Sequence, residues 1–346
     1  MSTRISRRSF TNALAGGAVA LGAGFHITSG QTPVTSPVSL AESTGGIGLT
    51  LADWENLAGP GEPAGDFLVY TSPIDQVTPV TVGFTDEIAT FMEYDFSVHG
   101  ETGLSRDDVA ALIASSIPPD SMPGEQFLVP GTGETSGTYA AGIFTSQSLP
   151  QMVADATGIM AIQTTVNTGI NPDPAEYTSV ISATITTNNP PDVEIPATGA
   201  PGGIALGRDA WIAAYGEPPQ TDYELEQYPG VGPNGMDVAV QYMPQDDIIQ
   251  RIAASGDGVN VETSPWMDAI TFCGNSLPAD AMLAQHFYFP GTEAGPLALR
   301  AMTFASETVE ETLHYKGTVL VLIHESMKAP EPMVPRLDLT INTGDG

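Results

Sequence analysis

Apolar residues in this chain fall in short alternating runs rather than long helical stripes. Val80, Val82 and Phe84 are separated by Thr81 and Gly83, the period of two expected of a strand with one buried face. The pattern returns at Val238, Val240 and Tyr242. Ahead of each strand pair a short helix is predicted, holding Trp54 in one case and Trp211 in the other. Each ends at a glycine, Gly59 or Gly216, with proline just beyond, a common way out of a helix. A second helix is predicted from Ser105-Arg106-Asp107-Asp108, where a capping serine precedes an acidic residue three places on. Its counterpart starts near Thr263-Ser264-Pro265-Trp266, with proline in the first turn. Further strands are expected around Phe127, around Phe144, at 159–167 and at 179–187. The class is α+β, two short helices laid on an antiparallel sheet in each half.

The halves read as one unit repeated in tandem. Gly46-Ile47-x-Leu49, Trp54 and Gly59 recur in fixed register as Gly203-Ile204-x-Leu206, Trp211 and Gly216. Pro118-x-Asp120-x-Met122, Phe127 and Pro130-Gly131-Thr132 recur as Pro278-x-Asp280-x-Met282, Phe287 and Pro290-Gly291-Thr292. Phe144 matches Phe304, and the tails match at Ile185 and Ile341. The register slips between these blocks, at the turn after Phe84 in one copy and after Tyr242 in the other, where a sheet tolerates insertion. The reading gives repeats at 46–187 and 203–343, joined by a proline- and glycine-rich linker at 188–202. Trp54 and Trp211 read as helix-to-sheet packing anchors, against the alternative of exposed binding aromatics. Asp120 and Asp280 each follow a proline and read as caps of the turn between second helix and next strand. The alternative for them is an acid–base pair facing across an interface.

The N-terminus carries the most specific motif. Ser6-Arg7-Arg8-Ser9-Phe10 is similar to the twin-arginine export consensus, with Arg7, Arg8 and Phe10 as the signal residues. A weakly apolar, glycine-rich run from Ala13 to Phe25 follows, too short to span a bilayer comfortably. Ser39-Leu40-Ala41 has small residues at cleavage offsets, which makes 1–41 signal peptide and tether. The expected product is a soluble exported protein, periplasmic or extracellular, with no membrane span after signal removal.

Charge narrows the partners. Lys and Arg number 10 against 41 Asp and Glu, for a formal net charge of −31, and lysine occurs only at Lys316 and Lys328. Such a surface repels phosphate backbones, so nucleic-acid binding is excluded. It suits plain solubility, a salty exterior, cation binding or basic partners. Cys273 is the only cysteine, so no intrachain disulfide or thiolate metal cluster is available.

Catalytic signatures are scarce. There is no Gly-x-Ser-x-Gly elbow. Gly230-Val231-Gly232-Pro233-Asn234-Gly235 matches the dinucleotide fingerprint in form, but a strand follows it where a phosphate-binding helix is needed. A loop between strands is the better reading. His99, His286, His314 and His324 lack the spacing of a helical zinc pair, and His286 and His324 read as surface or strand-edge residues. Asp257-x2-Asn260-x-Glu262 and Asn171-x-Asp173-x2-Glu176 are oxygen-rich but lack EF-hand spacing, and read as solvated turns. No catalytic residue, metal site or cofactor is assigned.

Leu49-Thr50-x3-Trp54-x4-Gly59 resembles the opening of the small α/β modules of the beta-lactamase-inhibitory-protein type and of small outer-membrane assembly lipoproteins. The second copy departs from it, with Gly207 where threonine is expected. The resemblance implies a tandem binding module that presents a concave sheet to a partner protein. Three functions stay open: an exported binding protein whose partner is an extracytoplasmic protein or polymer, a structural or accessory envelope component, and a hydrolase with an unrecognised site.

Overall fold

The structure is a computed structural model. It describes residues 46–341 apart from 101–102, 130–137, 155–156, 167–178, 189, 191–194, 200–202, 223–224, 244–245, 257–262, 293–296, 314–316 and 327–331. Arg7, Arg8, Phe10, Pro130, His314 and both candidate calcium loops lie outside the described residues. The chain forms two compact units that part after Asn188.

In the first unit, α1 (Leu51–Ala58) leads into β1 (Glu62–Ala64), β2 (Phe67–Thr71), β3 (Pro79–Thr85) and β4 (Ile88–Asp95). The chain then makes β5 (Leu104–Ser105), α2 (Arg106–Ser116), β6 (Met122–Val129), β7 (Thr138–Thr145), α3 (Leu149–Met152), β8 (Ile159–Val166) and β9 (Ser179–Thr186). The strands pair antiparallel in the order β1-β2-β3-β4-β9-β8-β7-β6, with β5 on β9. Two meanders thus meet where β4 pairs with β9, and α2 lies on the connection that takes the chain from mid-sheet to the far edge. Antiparallel neighbours need only tight turns, and Asp86 and Glu87 supply one with positive φ between β3 and β4. The helices cover one face. Trp54 from α1, Val109, Leu112 and Ile113 from α2 and Leu149 from α3 pack on Val80, Val82, Met92, Tyr94, Met160 and Ile185. Alternation along β3 and β4 puts those side chains on one side.

The second unit runs α4 (Arg208–Tyr215), β10 (Gln220–Asp222), β11 (Leu225–Tyr228), β12 (Asp237–Tyr242) and β13 (Ile249–Ser255). It continues with β14 (Ser264–Pro265), α5 (Trp266–Ser276), β15 (Met282–Phe289), β16 (Leu297–Ala305), α6 (Glu307–Leu313), β17 (Thr318–Ser326) and β18 (Met333–Ile341). Its sheet is β10-β11-β12-β13-β18-β17-β16-β15, antiparallel throughout, with β14 on β18. The strand order is the same as in the first unit. Trp211, Ala269, Ile270 and Cys273 pack on Val238, Val240, Ile252, Val321 and Leu339. The α+β class stands, with mostly antiparallel sheet and few helices.

Hydrogen bonds outside the ladders also recur. Ile47 N donates to Ser116 O at 2.9 Å, and Ile204 N to Ser276 O at 2.9 Å. These contacts explain the repeated Gly-Ile pair. A Cβ on Gly46 would stand 2.1 Å from Ser116 O, and one on Gly203 would stand 2.8 Å from Ser276 O. Only glycine lets the segment ahead of the first helix approach the end of the second helix so closely.

Four features differ from the sequence reading. Each unit has a third short helix, α3 or α6, that was not predicted. The tails match two residues earlier than expected in the second unit. Ile185 pairs with Met92 and Ile162, and the same place opposite Ile252 and Val321 is taken by Leu339, not Ile341. Within the stretch read as a linker, Ile195 joins the second unit's core and Thr198 N donates to Gly274 O at 3.0 Å. His286 lies on the edge strand β15, yet its ring and that of His324 are buried, against a surface role. No helix among the described residues is long and apolar enough to cross a membrane.

Candidate functional site

The two tryptophans are both fully buried. Trp54 lies against Tyr70 with ring centroids 5.2 Å apart, and Trp211 against Tyr228 at 5.6 Å. They fasten the first helix of each unit to its sheet, and burying such a side chain is worth about 1.5–3 kcal/mol. Phe127 and Phe287 are buried on β6 and β15, and Pro290 is half-buried just past β15.

Asp120 and Asp280 do cap, but not the turns in which they sit. Asp120 accepts hydrogen bonds from Ser146 Oγ at 2.7 Å, Gln147 N at 2.8 Å, Ser148 N at 2.9 Å and Ser148 Oγ at 2.6 Å. Asp280 accepts from Ser306 Oγ at 2.9 Å and Thr308 N at 2.9 Å. Each carboxylate therefore holds the start of the third short helix of its own unit, α3 or α6. Burial pushes both carboxyls up, but the hydrogen bonds outweigh it and both sit below the ordinary aspartate value. Each carboxylate is bonded to hydroxyl and amide donors of its own unit, a capping role.

The units differ under the first helix. Glu226 and Tyr228 are two apart on β11, so both point to the face that α4 covers. The register sets Tyr228 opposite Val238 and Glu226 opposite Val240, and Tyr242 follows on β12. Arg208, the first residue of α4, reaches down so that its Nε donates to Glu226 Oε1 at 2.6 Å. Tyr228 OH donates to Glu226 Oε2 at 2.7 Å. Both oxygens of a carboxylate that is 7% exposed are thus occupied. The Glu226 hydrogen bond holds the Arg208 guanidinium above its ordinary value. Burial, with donation to Glu226, pushes the Tyr228 phenol up to about 12. Burial and the neighbouring Tyr228 raise Tyr242 further still. The far side of the guanidinium is half-exposed, 3.9 Å from the exposed Glu217 carboxylate.

The first unit manages the same geometry without charge. By strand register and helix start, Arg208, Glu226, Tyr228 and Tyr242 correspond to Leu51, Leu68, Tyr70 and Phe84. The fold does not need the polar cluster. Tyr70 has a buried hydroxyl with no hydrogen-bond partner, as Tyr242 does in the second unit. No protein family, curated protein or solved structure matches the chain.

Three other polar groupings are closed. On the second sheet's opposite face, Arg251 and Arg336 both pair with Asp338 at 2.7 Å, and Asp338 is fully buried. Burial pushes the Asp338 carboxyl up, but Arg336 and Arg251 hold it down at about 2. Beside them the buried His324 falls to about 4, through burial first and Arg336 second. Near the start of α5, Arg300 pairs with the buried Glu325 and lies 5.2 Å from the Trp266 ring and 4.9 Å from that of Tyr288. In the first unit Thr78 Oγ1 donates to Asp75, so its contact with His99 Nε2 at 2.8 Å uses the histidine as donor. Cys273 is buried, and burial pushes its thiol up to about 12, which makes it inert. Gly230 to Gly235 form the turn between β11 and β12, with Gly230 N on Asp237 Oδ1 at 2.8 Å.

Proposed function

We propose that the chain is an exported binding protein built from a duplicated α+β module, with its second copy specialised to contact the partner. The observation that carries this reading is the Arg208–Glu226–Tyr228–Tyr242 cluster, present where the first unit has Leu51, Leu68, Tyr70 and Phe84. Two sheets of one strand order, with like helix-start contacts, support the reading of a duplicated module. Once duplicated, a copy is free to exchange partly buried leucines for charge where something other than folding rewards it. Glu226 is held by Arg208 and Tyr228, an arrangement that fixes the carboxylate in place and supports a recognition role. The twin-arginine leader supports export, and the opening that resembles small α/β binding modules supports a protein or polymer partner.

The test compares capture from an envelope extract by the immobilised mature chain and by a triple variant, Arg208→Leu, Glu226→Leu and Tyr242→Phe. The variant copies residues that the first unit already tolerates. The expected result is a retained species that the variant loses while its circular dichroism is unchanged. Identical capture by both proteins would remove the cluster from the proposal.

A further inference from the structure

Among the described residues, no arginine is exposed. Arg251 is buried, and Arg106, Arg208, Arg300 and Arg336 are half-buried. Arg208, Arg300, Arg251 and Arg336 spend their charge on three inward carboxylates, Glu226, Glu325 and Asp338. The carboxylates that face solvent receive almost none of it. Glu55, Asp107, Asp209, Asp268, Glu310 and Glu311 are exposed, and the exposed Glu217 has Arg208 3.9 Å away. The helices repeat the asymmetry, with acidic residues in the first turn of α1, α2, α4, α5 and α6 and no basic residue in the last turn of any.

We infer that the folded state is stabilised by a diffuse atmosphere of small monovalent cations and grows markedly more stable as ionic strength rises. Charge of one sign spread over a compact body opposes its compactness, and unfolding relieves the repulsion. At about 0.01 M salt the screening length is about 30 Å, so carboxylates across a whole unit repel one another. At about 1 M it falls to about 3 Å, and each carboxylate is felt only by its nearest neighbours. The inward arginines cannot help, because they are needed to neutralise carboxylates that would otherwise be buried unpaired. Nothing in this requires a defined ion site, and sodium and potassium are expected to act alike.

Thermal unfolding of the mature chain, followed by tryptophan fluorescence from about 0.05 M to about 2 M NaCl or KCl, tests the inference. The expected Tm rise is about 10 °C or more, equal for the two cations. A second protein carries Glu55→Gln, Asp107→Asn, Asp209→Asn, Asp268→Asn, Glu310→Gln and Glu311→Gln. It is expected to melt higher than wild type at low salt and to gain less from added salt. A flat wild-type Tm overturns the inference. So does a variant with the wild-type salt slope, because salt would then be acting by strengthening apolar burial, as sulfate does for any protein.

Discussion

The hydroxyl of Tyr228 donates to the carboxylate of Glu226 at 2.7 Å, whereas Tyr70, its counterpart in the first sheet, stands across from no acceptor. The cluster around Tyr228 has energetic consequences that can be measured apart from any ligand.

Glu226→Leu alone is expected to cost about 2–3 kcal/mol in urea unfolding. It strands the Arg208 guanidinium and the Tyr228 hydroxyl, and the partial exposure of Arg208 keeps the loss below that of a fully buried pair. Adding Arg208→Leu and Tyr242→Phe should recover part of the loss, because the guanidinium is no longer stranded and only the Tyr228 hydroxyl is left unpaired, as the Tyr70 hydroxyl is in the first unit. Additive losses across the three changes would show that the residues act separately.

Asp120→Asn and Asp280→Asn are each expected to lower stability by about 1 kcal/mol at neutral pH, as removal of a helix-start cap does. Asp120 should cost more, since both Ser146 and Ser148 hydroxyls turn toward it. Both carboxyls are depressed in the folded state, so their contribution is present above the unfolded aspartate pKa. It is lost as pH falls through the folded value. Melts at pH 7 and near pH 3 should therefore show the gap between wild type and variant closing in acid. A gap that persists unchanged in acid would mean the carboxylate charge is irrelevant.

His324 makes a separate window. Burial and Arg336 lower it to about 4, so the folded protein holds it neutral while the unfolded chain takes up a proton near pH 6.5. Stability should fall as pH drops from about 6.5 toward 4, by at most about 3 kcal/mol. His324→Gln should flatten Tm between pH 7 and pH 5. An unchanged slope in the variant would place the titration elsewhere.

Export rests on the leader. Replacing Arg7 and Arg8 with lysine should leave full-length precursor in the cytoplasm, read by immunoblot of cell and medium fractions. Normal secretion of the double variant would exclude the twin-arginine route.

Much of the architecture was legible because it is written in local signals. Trp54 and Trp211 sit between a helix start and a closing glycine, and Val80 and Val82 alternate over a buried face. The short helix Leu149–Met152 spans four residues, too few to show any periodicity. Missing it, the sequence reading gave Asp120 a local turn instead of the helix start it holds from 26 to 28 residues away. The tail register failed for a related reason. Ile341 sits on the same apolar face as Leu339, so the pattern alone could not choose between them. The Arg208–Glu226 pair was within reach. In the aligned copies Leu51 faces Arg208 and Leu68 faces Glu226, opposite charges at two places that are apolar in the first copy. What sequence could not supply was that the two meet, which takes a helix start and a strand brought together by the fold.

The most direct test of the binding proposal is hydrogen–deuterium exchange of the mature chain with and without the species it captures. The proposal expects slowed exchange in peptides covering Arg208–Tyr215, Leu225–Tyr228 and Asp237–Tyr242. Leu51–Ala58, Phe67–Thr71 and Pro79–Thr85, their counterparts in the first unit, should exchange as before. Equal protection of both sets, or protection of the first unit alone, would contradict a specialised second copy.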